Sequence, residues 1–171
     1  ESIEGKRGLP RHRPPYVAEV GLFNSPTLTN NLETLFWIRD ILEKGAKWYA
    51  EKGTGGNKGF HSFSVSGRVK DPGVKVAPAG VTIQELIDDY CGGMKEDHIF
   101  KGYLPGGASG GILPASMNRI PLDYGSKELT EAGCFLGSAA IVVLSDKDSM
   151  KDVALNLLKF FEEESCGQCT P

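Results

Sequence analysis

Two cysteines near the end of the chain, Cys166 and Cys169 in the stretch ESCGQCTP, are the residues best suited to hold a metal. Their C-x-x-C spacing lets two thiolates share one zinc ion or one iron–sulfur cluster, but both kinds of centre normally take four protein ligands. A redox pair is disfavoured, because a redox C-x-x-C usually opens a helix and this one follows a helical pattern. Zinc would need a second pair, and the histidines show no ligand spacing. The remaining reading places the missing ligands beyond Pro171, where one more cysteine would complete the C-x2-C-x2-C spacing of an iron–sulfur cluster.

The other two cysteines, Cys91 and Cys134, lie in apolar stretches. A free cysteine behaves as a small hydrophobic residue, so both are predicted to be buried thiols. Nothing in the sequence suggests export, and we therefore expect a reducing, cytoplasmic compartment.

Other patterns that could carry chemistry are weak. The glycine-rich stretch GYLPGGASGGILP, residues 102–114, is neither a GxGxxG fingerprint nor a P-loop, and it predicts a turn-rich connection. His61 lies in a strand pattern and is expected to be a surface or packed histidine. No serine-nucleophile motif is present, so no acid, base or nucleophile is predicted.

Composition limits the function classes. The 171 residues, 40% of them apolar and 24% charged, are typical of a soluble globular protein. The net charge of −3 argues against a nucleic-acid binder, and no apolar run approaches the roughly 18 residues that cross a membrane. The opening ESIEGKRGLPRHRPP has no apolar core and is therefore not expected to be a secretory signal. It also lacks an initiator Met, so we expect a processed chain or a segment of a longer one. A basic stretch, residues 1–16, could bind an anion or be a solvated loop.

These residues need elements to position them. Residues 1–28 are rich in Pro and Gly and predict extended, irregular chain. Residues 32–51 carry a broad apolar face and predict a helix, with Asn30 or Asn31 as its cap.

The middle of the chain predicts a small mixed α/β unit: strand, turn, strand, helix, then further strands. Thr82 and Glu85 form a capping box for the helix, and the apolar run at 138–145 predicts a central buried strand. This order is β-grasp-like, with a mixed sheet covering one helix, and a simple hairpin plus helix is the alternative. Residues 149–163 predict an amphipathic helix with Ser149 as its cap.

Several stretches carry a resemblance to a known family. The opening ESIEGKRGLPRHRPPYVAEVGLFNSPTLTNNLETL and the closing ESCGQCTP resemble the family of FMN- and NADH-binding subunits found in complex I and its soluble relatives. The stretches GGMKEDHIFKGYLPGGASGGILPASM and IPLDYG most resemble the β subunit of soluble, NAD-dependent molybdenum or tungsten formate dehydrogenases. The resemblance covers essentially the whole chain.

The resemblance implies an α+β chain in three parts. Residues 1–58 would be the C-terminal part of an FMN- and NADH-binding domain. Residues 59–145 would be a ubiquitin-like β-grasp domain of the SLBB type, which braces its neighbours. Residues 146–171 would be a helix and the start of a 4Fe-4S cluster domain.

The resemblance also implies roles for six residues. Asn30 and Asn31 match the family's NNxET segment, which contacts the FMN ribityl–phosphate arm. Arg13 and Tyr16 match a segment that holds NAD(H), and here Arg stands for a Lys and Tyr for a Phe. The pair Cys166 and Cys169 match the first two of three cysteines that bind the 4Fe-4S cluster.

The implied protein is an NAD(H)-linked oxidoreductase subunit that transfers a hydride between NAD(H) and FMN and passes electrons to or from the cluster. Its partners would be the other subunits of a formate dehydrogenase assembly. Two alternatives remain: a flavin subunit of complex I, or a β-grasp interaction module in which this segment alone binds no cofactor.

Overall fold

The computed structural model describes residues 1–9 and 11–167. The first part of the described chain is irregular and mostly exposed, as predicted, with two short 3-10 turns at Ser2–Glu4 and Leu22–Asn24. These two turns are tied together, because the Oε1 atom of Glu4 accepts a hydrogen bond of 2.6 Å from the backbone N–H of Phe23.

The first regular helices are α1, Leu32–Lys44, and α2, Ala46–Ala50. The prediction of one helix over 32–51 was therefore wrong in its continuity. Gly45 separates the two with a φ of 91°, which a glycine adopts readily and which breaks the α-helical path. Asn31 caps α1, since its side chain accepts a hydrogen bond from the backbone N–H of Thr34.

Five strands form one mixed sheet. They are β1, Phe60–Gly67; β2, Gly73–Pro78; β3, Phe100–Leu104; β4, Leu113–Pro114; and β5, Ala140–Ser145. The order across the sheet is β2-β1-β5-β3-β4, and only the central β1–β5 pair is parallel. The prediction that the apolar run ending at residue 145 is a central strand is confirmed.

One face of the sheet packs on helix α3, which spans Ile83–Glu85 and continues as a π turn over Leu86–Tyr90. The predicted capping box is present, because Thr82 and Glu85 exchange hydrogen bonds between side chain and backbone. The side chains that this helix buries join those of the sheet in one hydrophobic core, which includes Phe63, Val65, Tyr103, Ile141, Val143, Ile83, Leu86 and Ile87. A mixed sheet that covers one helix was predicted, whereas the π turn carried no local sequence signal.

Two further helices follow α3: α4, Lys127–Glu131, and α5, Met150–Glu163. Helix α5 begins where predicted, and Ser149 caps it by accepting a hydrogen bond from the N–H of Asp152. Helix α4 and the two-residue strand β4 were not predicted, because both are too short to show a hydrophobic period. No helix among residues 1–9 and 11–167 is long and apolar enough to pass through a bilayer.

The glycine-rich stretch between β3 and β4 is a connection of bends and turns, as predicted, and it is closely packed. A Cβ atom on Gly106 would lie 2.3 Å from the carbonyl oxygen of Leu136, so the two backbones approach closer than any side chain would allow.

Candidate functional site

The approach to helix α1 places Asn30 and Asn31 at its N-terminus, and both residues are exposed. The Oδ1 atom of Asn31 accepts from the N–H of Thr34 at 3.0 Å, and the Oδ1 atom of Asn30 accepts from the N–H of Asn31 at 2.8 Å. Both carboxamide oxygens are therefore engaged in shaping the helix start. The two side-chain NH2 groups remain as donors, next to the backbone N–H groups of the first turn.

The predicted dinucleotide residues lie in the irregular part of the chain. Arg13 is exposed, and the Tyr16 side chain is 55% exposed. A backbone hydrogen bond of 3.1 Å from Thr27 to Val17 folds this stretch back on itself. Val17 follows Tyr16, and Thr27 lies three positions before Asn30. The two predicted binding segments therefore lie side by side.

Helix α1 is joined to the sheet by a carboxylate and by aromatic rings. The Oε1 atom of Glu33 accepts a hydrogen bond of 2.6 Å from the backbone N–H of Ser62. The Trp37 ring stacks on Phe60 with a centroid distance of 5.2 Å, and the Tyr49 hydroxyl lies 3.3 Å from the backbone of that same phenylalanine. These contacts hold the helix that carries the asparagines against β1.

A cleft of about 610 Å³ opens between α1 and the start of β1. Its lining combines aromatic rings with polar and charged side chains, and includes Asn31, Glu33, Trp37, Tyr49, Lys58 and Tyr124. The indole Nε1 of Trp37 is buried beside it and has no hydrogen-bond partner in the described part of the chain. Sequence reasoning did not find this cleft, because its residues come from stretches that lie far apart in the chain.

His61 is half-buried and paired with a carboxylate. Its Nε2 atom lies 2.6 Å from the Oδ1 atom of Asp123, and the Tyr124 ring meets the imidazole edge-on with centroids 4.9 Å apart. The prediction of a packed or surface histidine is confirmed. The imidazole is bonded to Asp123 and packed on one side by the Tyr124 ring, which is typical of a structural contact between β1 and the loop before α4.

The three described cysteines differ sharply. Cys91 and Cys134 are buried free thiols, as predicted, and burial raises the pKa of both. Cys166 is an exposed free thiol beyond the end of α5. Its predicted partner Cys169 lies outside the described residues. Within residues 1–9 and 11–167, no three or more His, Cys, Asp or Glu side chains come together as a metal site.

The predicted site residues thus fall into two groups. Arg13, Tyr16, Asn30 and Asn31 lie on neighbouring segments before α1, and Cys166 lies beyond the far end of α5. The strands of the sheet lie between the two groups in the sequence. The sheet is bonded to α1, next to the first group, and to the start of α5, which leads to Cys166. The class of fold is thus a small mixed sheet with helices before and after it, and the exposed amide donors of Asn30 and Asn31 lie outside the sheet.

Comparison with known proteins shows which proteins this chain is similar to. No protein-family model matches the chain. An F-type subunit of NADH-quinone oxidoreductase from Rhizobium meliloti is 39% identical over 171 residues, which is 100% of this chain and 40% of that protein. The F subunit of Buchnera aphidicola is 39% identical over 99% of this chain, and that of Mycobacterium tuberculosis is 38% identical over 100% of it; the chain covers 38% of each.

Solved structures of an NAD+-reducing hydrogenase also resemble this chain. The NAD+-reducing NiFe-hydrogenase in its H2-reduced state matches with a TM-score of 0.76 and 31% identity, over 99% of this chain and 28% of that one. The air-oxidised state of the same kind of enzyme matches with a TM-score of 0.76 and 32% identity.

The chain is therefore homologous to a segment of the F subunit of NADH-quinone oxidoreductase. The predicted relationship to the NADH- and FMN-binding subunits of complex I and its relatives is confirmed. The chain spans about two-fifths of the length of the curated relatives it matches. The closer relationship to a formate dehydrogenase stays a prediction.

Proposed function

We propose that this chain is part of an NAD(H)-linked oxidoreductase subunit that transfers a hydride between NAD(H) and FMN and exchanges electrons with a 4Fe-4S cluster. The observation that carries the proposal is the 39% identity to an F-type subunit of NADH-quinone oxidoreductase over all 171 residues. When bound, the flavin and the cluster supply the redox chemistry, and the protein supplies binding, orientation and electrostatics.

In this proposal Asn30 and Asn31 hold the phosphate end of the FMN. Their carboxamide oxygens are already engaged, so their NH2 groups remain as donors for a ligand. A helix N-terminus adds free backbone N–H groups and a partial positive charge, which favour a phosphate. The one acidic side chain in this turn, Glu33, has its carboxylate bonded to the N–H of Ser62. The residues present therefore fit the group.

Arg13 and Tyr16 are proposed to contact NAD(H). A guanidinium suits the dinucleotide phosphates, and an exposed phenol ring offers a flat face to a base. Arg13 takes part in no ion pair among the described residues, so its charge is available to an anionic ligand.

Cys166 and Cys169 are proposed to bind the 4Fe-4S cluster, which takes four cysteine thiolates. Within the part of the chain that the structure describes, Cys166 is an exposed free thiol, which supports its accessibility to a cluster. The other ligands are not among the described residues.

The predicted division into 1–58, 59–145 and 146–171 is part of the same proposal. The strand order β2-β1-β5-β3-β4 with a parallel central pair supports a ubiquitin-like β-grasp (SLBB) domain over 59–145. In residues 1–58, helix α1 exposes a row of large apolar side chains, namely Leu32, Leu35, Phe36, Ile38 and Leu42. An apolar face of this kind normally packs on further protein, which supports the assignment of these residues to a larger FMN-binding domain.

The assembly to which this subunit belongs has more than one candidate. The names of the curated relatives support a complex I-type assembly, and the likeness to an NAD+-reducing hydrogenase supports a place in other NAD-linked enzymes as well. A formate dehydrogenase assembly, with a cytoplasmic location and with other subunits as partners, stays the more specific proposal. The exposed apolar faces of α1 and α5 also suit a pure interaction module that binds no cofactor.

An optical spectrum tests the proposal. The polypeptide, produced at the length its gene encodes and purified without oxygen, should show a flavin band over a broad iron–sulfur absorption that NADH bleaches. Cys166→Ala should lose the iron–sulfur part and keep the flavin, whereas Ser165→Ala should keep both. Bleaching by formate, with the partner subunits present, would select the formate dehydrogenase assembly. A colourless protein that FMN, iron and sulfide cannot reconstitute would contradict the proposal and favour the interaction module.

A further inference from the structure

The start of helix α5 is fastened to the sheet through one carboxylate. Asp148 directly precedes Ser149, the cap of α5. Its Oδ1 atom accepts a hydrogen bond of 2.7 Å from Nη2 of Arg68, and the Nε of the same guanidinium lies 3.2 Å from both carboxylate oxygens. Arg68 follows the last residue of β1, and its own backbone N–H donates to the carbonyl of Val143 on β5 at 2.9 Å.

The second oxygen of the carboxylate is held by the end of β5. The Oδ2 atom of Asp148 accepts 2.8 Å and 3.2 Å hydrogen bonds from the backbone N–H and the hydroxyl of Ser145. The same hydroxyl lies 2.8 Å from Nδ1 of His98, which is within hydrogen-bond distance. Guanidinium, carboxylate, hydroxyl and imidazole thus form one chain of bonds across the ends of β1 and β5 and the loop before β3.

The rest of α5 is loosely attached. None of its residues is buried, and a cleft of about 540 Å³ lies between it and the sheet. Apolar side chains of β3 and β5 line one wall of the cleft, and Val153 and Leu157 of α5 line the other. Packing along the helix is therefore too sparse to set its direction.

We propose that Arg68 and Asp148 are positioning residues that set the direction in which α5 leaves the sheet, and thereby the place of Cys166. Cluster binding at Cys166 rests on the proposed function, whereas the direction of the helix does not. At 1.5 Å per residue the 14 residues of α5 span about 21 Å, so a tilt of about 10° at its start moves its end by roughly 4 Å. A small change at Asp148 is amplified at the cysteine.

The two-point contact between the Arg68 guanidinium and the Asp148 carboxylate explains why this pair can set the direction of α5. An arginine fork bonded to both oxygens of a carboxylate fixes the relative orientation of the two groups, whereas a lysine ammonium fixes only their distance. The Arg68 guanidinium also holds the pKa of the Asp148 carboxyl well below its usual range. The carboxylate therefore stays ionised and bonded at neutral pH.

Distance measurement between two spin labels tests the proposal on the full-length polypeptide. Spin-labelled unnatural amino acids replace Val74 on β2 and Lys159 on α5, both of which are exposed, so that the native cysteines are untouched. We expect one narrow distance distribution in the parent protein. Arg68→Ala should broaden it or shift it by several ångström, and Arg68→Lys should lie in between. Arg39→Ala, which removes an equal side chain from an ion pair on α1, should leave the distribution as in the parent.

The isosteric variant Asp148→Asn guards against a general loss of folding, since it removes the charge and leaves the shape. It should broaden the distribution while circular dichroism stays that of the parent. An unchanged distribution in both Arg68→Ala and Asp148→Asn would overturn the proposal.

Iron release separates this proposal from the proposed function. In protein loaded with iron and sulfide, a chelator should remove iron several-fold faster from Arg68→Ala than from the parent or from Arg39→Ala. Equal release in all three would overturn the link from helix direction to Cys166. A parent protein that takes up no iron contradicts the proposed function, and the distance distributions then still decide whether Arg68 and Asp148 direct α5.

Discussion

The carboxylate of Glu33 accepts the backbone hydrogen bond of Ser62 at a point of β1 where no neighbouring strand of the described chain does so. The backbone N–H of Ser64 donates to Ala139, just before β5, so the N–H of Ser62, two residues earlier on β1, points to the same side. Strand β5 begins at Ala140 and pairs with β1 only from Ser64 onward. Glu33 accepts the hydrogen bond that no strand is there to accept, and α1 is thereby bonded to the sheet edge.

Removal of this carboxylate should loosen α1. We expect Glu33→Ala to lower the free energy of unfolding by about 1–2 kcal/mol, because a half-buried N–H loses its charged acceptor. Urea denaturation measures the change, and hydrogen exchange should show faster exchange of the Ser62 amide. Glu43→Ala, on the exposed side of the same helix, should change stability by less than about 0.5 kcal/mol. An unaltered Ser62 amide would rule this role out.

The Trp37 ring should contribute more to the free energy of unfolding than its indole N–H does. We expect Trp37→Ala to cost about 2–3 kcal/mol, because the stack on Phe60 is lost and a void is left in a half-buried site. Trp37→Phe keeps a ring and removes a buried donor that has no partner in the described chain, so its cost should stay below about 1 kcal/mol. Thermal and urea unfolding of both variants check the order. A larger loss for Trp37→Phe would show that the N–H has a partner.

Gly67 at the end of β1 should tolerate no side chain. Its φ is +91°, and a Cβ atom would lie 2.1 Å from the carbonyl oxygen of Val143. We expect Gly67→Ala to cost about 3 kcal/mol or more, since strain and a backbone clash combine. Gly133 has a φ of +72° and open space around it, so Gly133→Ala should cost only about 1–2 kcal/mol. Equal costs in urea denaturation would mean that the clash relaxes freely.

The Arg68–Asp148 pair should make stability depend on pH in the acid range. The pKa of the Asp148 carboxyl is lowered in the folded protein, chiefly by its hydrogen bond to Arg68. The unfolded chain, whose aspartate titrates at about 3.9, then binds more protons than the folded one, so unfolding becomes easier as pH falls. The stabilisation is complete above about pH 5 and is lost progressively below it. Chemical denaturation between about pH 2 and 6 should show a shallower acid decline for Asp148→Asn than for the parent. Parallel curves would count against the pair as the source.

The thiols should react in a fixed order. Burial raises the pKa of Cys91 and Cys134, so few thiolates form there and reagents cannot reach them. In cofactor-free protein at about pH 8, iodoacetamide should modify Cys166 and leave those two intact until a denaturant is added. Mass spectrometry of the digested protein gives the extent at each site. Early modification of Cys134 would show that the glycine-rich connection packed on it opens in the native state.

Patterns within one turn or one strand were readable from the sequence. Thr82 with Glu85 and Ser149 with Asp152 mark helix starts because a cap acts over three residues. The run that forms β5 is apolar from Ala140 to Leu144 because a strand in the middle of a sheet is covered on both faces. The irregular lead-in and the two buried thiols follow from composition in the same local way.

Tertiary structure alone decided which distant residues meet. Glu33 and Ser62 are 29 residues apart, His61 and Asp123 are 62 apart, and Arg68 and Asp148 are 80 apart. The apolar period of α1 showed that the helix has an apolar face, but only the fold shows that Trp37 turns to the sheet while Leu32 and Leu42 remain exposed. A local pattern records how a residue sits on its own helix or strand. Which groups satisfy each other across the chain depends on how those elements pack, and a single sequence holds no local trace of that.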